Sequence, residues 1–190
     1  MSIVRRSLCA IIMMMVCFGA TVVCWANDYK DVAAVVVVDK SKESYGIELK
    51  NEVYTHLEKE LKTVVIKENE LQDIMKSNGF EDMGRAEKQD LSKLAAKTGA
   101  NLVLVVEILP TKSDITQIIF YQAIKSEATL KVRLYDVVKN QYVLAEEIGS
   151  VSINKTYIPY TFVGKKVTVV EAVRKAVIIA AQKVNGVIAQ

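Results

Sequence analysis

Three carboxylates, Asp39, Glu68 and Glu107, stand near the ends of apolar runs, where strands of an open α/β sheet would finish. Ligands of such sheets gather at the carboxyl ends of the strands. Three carboxylates there could hold a hard cation through oxygen. The plainer reading is that strand ends meet solvent and carry charge; the sparse acidity of these loops favours it, and no metal ligand is assigned. Nucleophilic chemistry lacks its parts. The single histidine, His56, sits mid-helix near Glu58, Lys59 and Glu60, with no partner in the pattern to orient it as a base. All three cysteines, Cys9, Cys17 and Cys24, precede residue 27, so the remaining chain has no thiolate, no disulfide and no cysteine ligand for zinc. The segment Asp39-Lys40-Ser41-Lys42-Glu43-Ser44 after the first apolar run is not a glycine-rich phosphate loop. No catalytic residue and no cofactor is expected.

The better candidate for contact with another molecule is the stretch Tyr157-Ile158-Pro159-Tyr160-Thr161-Phe162. Tyrosine offers a large rigid face with a polar tip, and aromatic residues are enriched in interface cores. Tyr157, Tyr160 and Phe162 are therefore the expected partner-binding residues, the alternative being that their rings fold back over the end of the core.

These residues need elements to position them. Asp31 to Val38 is a β-branched run of the kind buried on both faces of a sheet. From Gly46 the period becomes helical, with Ile47, Val53, Tyr54, Leu57 and Leu61 on one side. Thr63 to Ile66 reads as a short strand, Leu71 to Met75 as a short helix stopped near Asn78-Gly79, and Leu91 to Ala95 as another helix. Gly99 falls where a helix ends in a left-handed residue, and Asn101 to Leu109 is a third apolar strand closed by Pro110. The segment 115–124 is apolar without clean alternation and is a candidate for one extra strand. Ala128 to Tyr135 alternates between a buried and a wetter face, Lys139-Asn140-Gln141 turns, and Tyr142 to Ile153 returns. The last helix opens on Thr168-Val169-Val170-Glu171, which has the pattern of a capping box. The order β-α-β-α-α-β-β-β-α predicts an α/β fold whose mixed sheet has early parallel and late antiparallel strands.

Residues 1–26 carry the marks of a secretory signal peptide: Arg5-Arg6, an uncharged stretch from Leu8 to Trp25, and small residues at Cys24 and Ala26. An uncleaved anchor is the alternative, and it would be the only membrane contact expected. Cleavage would leave residues 27–190 as one α/β domain beginning at Asn27. That portion has 23 basic against 22 acidic residues, interspersed, which gives no overall electrostatic case for nucleic acid or for an anionic membrane.

The Val-rich first strand ending in Asp39, the stretch TVVIKENELQDIMKSNGF and the stretch LSKLAAKTGANLVLVVEIL together resemble the N-terminal domain of TolB and the related domain of CsgG. The resemblance spans about Val32 to Lys155 and rests on fold signatures, not catalytic ones. Glu107 stands where that family usually has a glycine, no β-propeller follows as in a whole TolB, and no lipid-attachment cysteine of the CsgG kind is present. The resemblance implies an envelope-associated, non-enzymatic docking or assembly module, with an envelope or secretion-system protein as partner. The place would be the periplasm or the exterior. Rival expectations are a small-ligand or cation receptor at the sheet edge and, more remotely, a hydrolase using the three carboxylates.

Overall fold

The computed structural model describes residues 31–77, 79–80, 83–157 and 164–190. Six strands form one sheet: β1 (Val32–Asp39), β2 (Val64–Ile66), β3 (Leu102–Ile108), β4 (Lys112–Ile118), β5 (Tyr121–Asp136) and β6 (Gln141–Thr156). Four helices accompany them among the described residues: α1 (Gly46–Glu60), α2 (Glu68–Ser77), α3 (Lys88–Thr98) and α4 (Lys165–Ile188). β1 lies parallel to both β2 and β3, whereas β5 is antiparallel to β3, β4 and β6. The parallel-then-antiparallel order read from the sequence is therefore the order observed.

β3 is the centre of the sheet, and all seven of its residues are buried. Alternate residues serve two cores. Leu104, Val106 and Ile108 join Val35 and Val37 of β1 under α1 and α4. Val103 and Val105 join Val36 under α2 and α3. Helix α1 supplies Leu49, Val53 and Leu57, spaced four apart so that they fall on one face. Helix α4 supplies Val169, Val173, Val177 and Val184 with Ala172, Ala176, Ala180 and Ala181 between them. The alanines keep the helix close to the sheet, and the valines fill the gaps between strands. Gly99 has φ +70° and ends α3 in the left-handed conformation that the sequence called for.

Two local expectations are corrected. Segment 115–124 is not a single strand: β4 ends at Ile118, the chain turns at Ile119 and Phe120, and β5 begins at Tyr121. The turn carries no Gly, Asn or Pro, so it left no signal of its usual kind. Helix α4 opens at Lys165 after Gly164, not at Thr168. Thr168 is buried inside the helix with its hydroxyl unpartnered, so 168–171 is not a capping box. Such a box does close the start of α3, where the Glu87 side chain accepts from the Asp90 amide and the Asp90 side chain accepts from the Glu87 amide.

Candidate docking surface

β5 is the spine of the molecule. Its sixteen residues span about 50 Å at the usual strand rise. β6 pairs with it along nearly the whole length, from Gln122↔Thr156 to Asp136↔Gln141. β6 thus fills one edge of β5, and β3 and β4 must share the other. β3 takes residues 130–136 and β4 takes residues 121–127. The half beside β3 lies within the layered body. The half beside β4 extends past it as a three-stranded ribbon.

The two faces of this long sheet differ. Toward α1 and α4, Ala128, Leu130, Val132 and Leu134 of β5 are buried with Ile148 of β6. Further along the ribbon the same face carries polar side chains beside buried Ile124. Ser113, Ser126 and Ser152 lie in one row across β4, β5 and β6, Ser126 and Ser152 buried and Ser113 half-buried, and the Ser113 and Ser126 hydroxyls are 2.9 Å apart. Ser150 donates to the Ala172 carbonyl of α4, which ties the ribbon to the helix. On the opposite face, α2 and α3 cover β1, β3 and, at the β3 end of β5, Tyr135. Thr129, Lys131, Glu147, Val151, Ile153 and Lys155 of β5 and β6 share the rest of that side by strand alternation, and no helix among the described residues covers it. Val151 and Ile153 are exposed there.

The margin of the covered area is fixed by ions. Glu107, on β3, is only 2% exposed. Lys40 donates to it at 2.6 Å, while Arg133 and Lys131 lie at 3.5 and 3.7 Å. Arg133 also donates to the carbonyls of Met83, Gly84 and Ala86 at 3.0, 2.9 and 3.3 Å. One guanidinium thereby holds the α2–α3 connection against the sheet. Lys131 and Arg133, read from sequence as residues of the wetter face, mark the line where that face leaves its cover.

Asp39 belongs to the other side. It is one residue past Val38, the residue paired with Glu107, so the two carboxylates face opposite sides of the sheet. Asp39 accepts a hydrogen bond from the Ser41 amide at 2.9 Å, and its carboxylate occupies the space beside Gly46 at the start of α1. A β-carbon at Gly46 would lie 1.8 Å from that carboxylate, so glycine is required by close approach. Glu68 opens α2, and its side chain lies outside the described residues. Asp39 and Glu107 are therefore not brought together, and no cluster of three or more His, Cys, Asp or Glu side chains suited to a metal occurs among the described residues. His56 Nε2 lies 3.1 Å from Glu52 on the next turn, and Arg174 of α4 donates to the same carboxylate oxygen at 2.6 Å. The histidine is part of a seam between two helices.

Tyr157 follows β6 and is exposed, its ring centroid 5.1 Å from that of Tyr121. Tyr160 and Phe162 lie outside the described residues. Sequence reasoning missed Glu43, which gathers three elements at the root of the ribbon. Thr111, between β3 and β4, donates to it at 2.5 Å, and Lys165, at the start of α4, at 2.7 Å. Burial works to raise the Glu43 carboxyl, but contacts from Lys165, Thr111 and Tyr45 and the Lys165 charge outweigh it and hold the group below its ordinary range. Burial and the neighbouring Glu43 charge push the Tyr45 phenol upward. No spacing in the sequence joins residues 43, 111 and 165.

No known family model matches the chain, and no curated protein sequence matches it. Solved structures do resemble it. Lipoprotein GNA1162 from Neisseria meningitidis is similar with a TM-score of 0.50 and 13% identity, over 84% of this chain and 99% of that one. The hypothetical protein CT253 from Chlamydia trachomatis is similar with a TM-score of 0.50 and 19% identity, over 85% of this chain and 99% of that one. TolB from Acinetobacter baumannii has a TM-score of 0.43 and 15% identity, over 85% of this chain and 29% of that one. The class defined is thus a mixed α/β fold shared with a bacterial lipoprotein; at these identities the likeness is one of fold. No helix among the described residues is long and apolar enough to cross a membrane.

Proposed function

We propose that the chain is an exported, envelope-associated binding or assembly module that acts through protein–protein contacts and not as an enzyme. The observation that carries this reading is the long ribbon of β5 and β6, one face of which is uncovered among the described residues. β6 is a sixteen-residue strand whose only strand neighbour among the described residues is β5. A free strand edge offers backbone donors and acceptors to an incoming chain, and charges along it limit uncontrolled pairing. Glu146, Glu147 and Lys155 punctuate β6 in that way. The fold shared with a bacterial lipoprotein and the sequence resemblance to TolB and CsgG domains support the envelope setting. The signal-peptide reading of residues 1–26 supports export, with Asn27 as the first residue of the mature chain.

The partner surface is assigned to Tyr157, Tyr160 and Phe162 together with the neighbouring end of β6. A receptor built on Asp39, Glu68 and Glu107 is not favoured, because Asp39 and Glu107 face opposite sides of the sheet. The test is capture from envelope extract by the mature chain, compared with the variant carrying Tyr157→Ala, Tyr160→Ala and Phe162→Ala. Interface anchors of this type cost about 2 kcal/mol or more each when truncated, so capture should be lost while the melting temperature stays near wild type. A variant that melts far lower would make the rings core covers. A folded variant that still captures the partner would remove them from the interface.

A further inference from the structure

The end of the ribbon is built differently from the rest of the surface. At the β4–β5 turn Ile118, Ile119 and Phe120 are 64%, 80% and 66% exposed. Isolated exposed apolar residues need no explanation. Three in succession at the projecting end of a hairpin do, because a two-residue turn is ordinarily made of Gly, Asn or Asp. Neither Ile119 nor Phe120 has a positive φ, so turn geometry does not select them. Directly behind the tip stand two phenols, Tyr121 and Tyr157, packed ring to ring.

Charge is distributed in step with this. The ten residues from Ile115 to Ile124 contain no charged side chain at all. Beyond the row of Lys112, Glu127 and Val151, the ribbon has one carboxylate, Asp114, and it lies two rows further out, opposite Lys125. The outermost charge is Lys155, which is exposed and pairs in register with Ala123, two residues behind Tyr121. Along the strand the order is therefore apolar tip, aromatic pair, then lysine. The tip-to-lysine distance is roughly 7–10 Å at the strand rise. That matches the depth to which apolar groups sink at the boundary of headgroups and acyl chains. Aromatic phenols suit the interface itself, and lysine suits anionic headgroups.

We propose that the β4–β5 tip, Ile118 to Tyr121 with Tyr157, inserts into the interfacial layer of a lipid bilayer and that Lys155 pairs with anionic headgroups there. The tip enters the interface without crossing the bilayer. Its uncharged arms run only from Ile115 to Ile118 and from Tyr121 to Ile124, whereas a spanning strand needs about 9–11 residues. The near-zero net charge of residues 27–190 does not oppose this, because contact is made by one end of the molecule and not by its average surface. The inference goes beyond the partner-binding reading above: it shares Tyr157 with that surface and otherwise concerns the β4–β5 tip.

The test is sedimentation of residues 27–190 with protein-free vesicles. Both core clusters are drawn from residue 32 onward, so this length carries the whole described core. The expected result is binding to phosphatidylethanolamine–phosphatidylglycerol vesicles. The double variant Ile119→Ser with Phe120→Ser should bind at least about tenfold more weakly with an unchanged melting temperature, since neither side chain is buried. Lys155→Gln should weaken binding to the anionic vesicles by about fivefold and leave binding to phosphatidylcholine vesicles unchanged. Trp25 is the sole tryptophan and precedes residue 27, so Phe120→Trp installs a single reporter at the tip. Its emission should shift to the blue on adding vesicles. Wild type that stays in the supernatant, a folded double variant that binds equally well, or an unshifted Phe120→Trp spectrum would each overturn the proposal. So would a double variant that turns a dimer into a monomer without any vesicle binding by either form, which would make the tip a contact between copies of this chain. The vesicles contain no protein, so failure here leaves the capture experiment above untouched, and the reverse also holds.

Discussion

The two halves of β5 are made from one continuous strand and have opposite fates. Beside β3, residues Leu130, Val132 and Leu134 are closed in by α1 and α4, and on the other side Tyr135 is closed in by the α2–α3 layer. Beside β4, the strand keeps alternating, but among the described residues only one side is covered, and that side is lined by serines and Gln122 as well as by Ile124. Hydrophobic burial on two sides makes the first half the source of stability. The second half is held by ladder hydrogen bonds and a few helix contacts, and its remaining side is free to meet something else. The division suggests that changes in the body should cost folding free energy and changes on the ribbon should cost contacts.

The largest effect is expected in the body. Leu104, at the centre of β3, is fully buried. Leu104→Ala should cost about 3 kcal/mol, by the lost transfer free energy and the cavity left behind. Denaturant unfolding measures it, and a loss below about 1 kcal/mol would mean that the body relaxes far more than a two-sided core should.

Next comes the margin between the halves. Glu107→Gln keeps the shape but removes the charge that faces Lys40, Lys131 and Arg133. The cations are partly exposed, so the loss should be about 1–2 kcal/mol and not the larger value of a fully buried pair. Amide exchange should also quicken in the α2–α3 connection, because Arg133, which holds it, would lose its counter-charge. Unchanged exchange there would separate the clamp from Glu107.

At the root of the ribbon the effect should be smaller and dependent on pH. The folded carboxyl of Glu43 sits below its ordinary value of 4.5. The folded state therefore binds its proton less readily than the unfolded chain does. The stabilisation is present above the ordinary carboxyl pKa and is lost as pH falls through the lower folded value. Glu43→Gln should cost about 1 kcal/mol at neutral pH. Wild type and variant should converge on acidification below about pH 4. A constant difference down to strongly acid pH would place the effect in packing and not in charge.

Much of the body could be read from sequence because its signals are local. The run Val35-Val36-Val37, the helical spacing of Leu49, Val53 and Leu57, and Gly99 at a helix end each carry their own physical cause within a few residues. The ribbon could not be read so well. The Ile119-Phe120 turn lacks turn residues because those positions were given to apolar side chains. Thr168 and Glu171 imitate a helix start inside a helix that Gly164 already begins. The three carboxylates illustrate a deeper limit. Asp39 and Glu107 end adjacent strands, yet a register offset of one residue sends them to opposite faces, and register between distant strands is not written in either strand alone. Glu43, Thr111 and Lys165 meet only after the chain has folded.

The smallest stability effect should come from the uncovered face itself, and it tests the comparison most sharply. Val151 and Ile153 belong to the same strand as buried Leu144 and Ile148, and they have comparable β propensity and apolar area. Only their side of the sheet differs. If burial and not strand membership sets their worth, Val151→Thr with Ile153→Thr should change unfolding free energy by less than about 0.5 kcal/mol, since threonine keeps β-branching at exposed sites. Ile148→Thr, on the covered face, should cost several times more, because its hydroxyl enters the α4 core without an assured partner. A double variant on the open face that destabilises as much as Ile148→Thr would mean that this face is covered in solution. The observed division of β5 and β6 into a stabilising half and a contact half would then have to be withdrawn. Equal stability with weakened capture from envelope extract would place Val151 and Ile153 in the docking surface beside Tyr157.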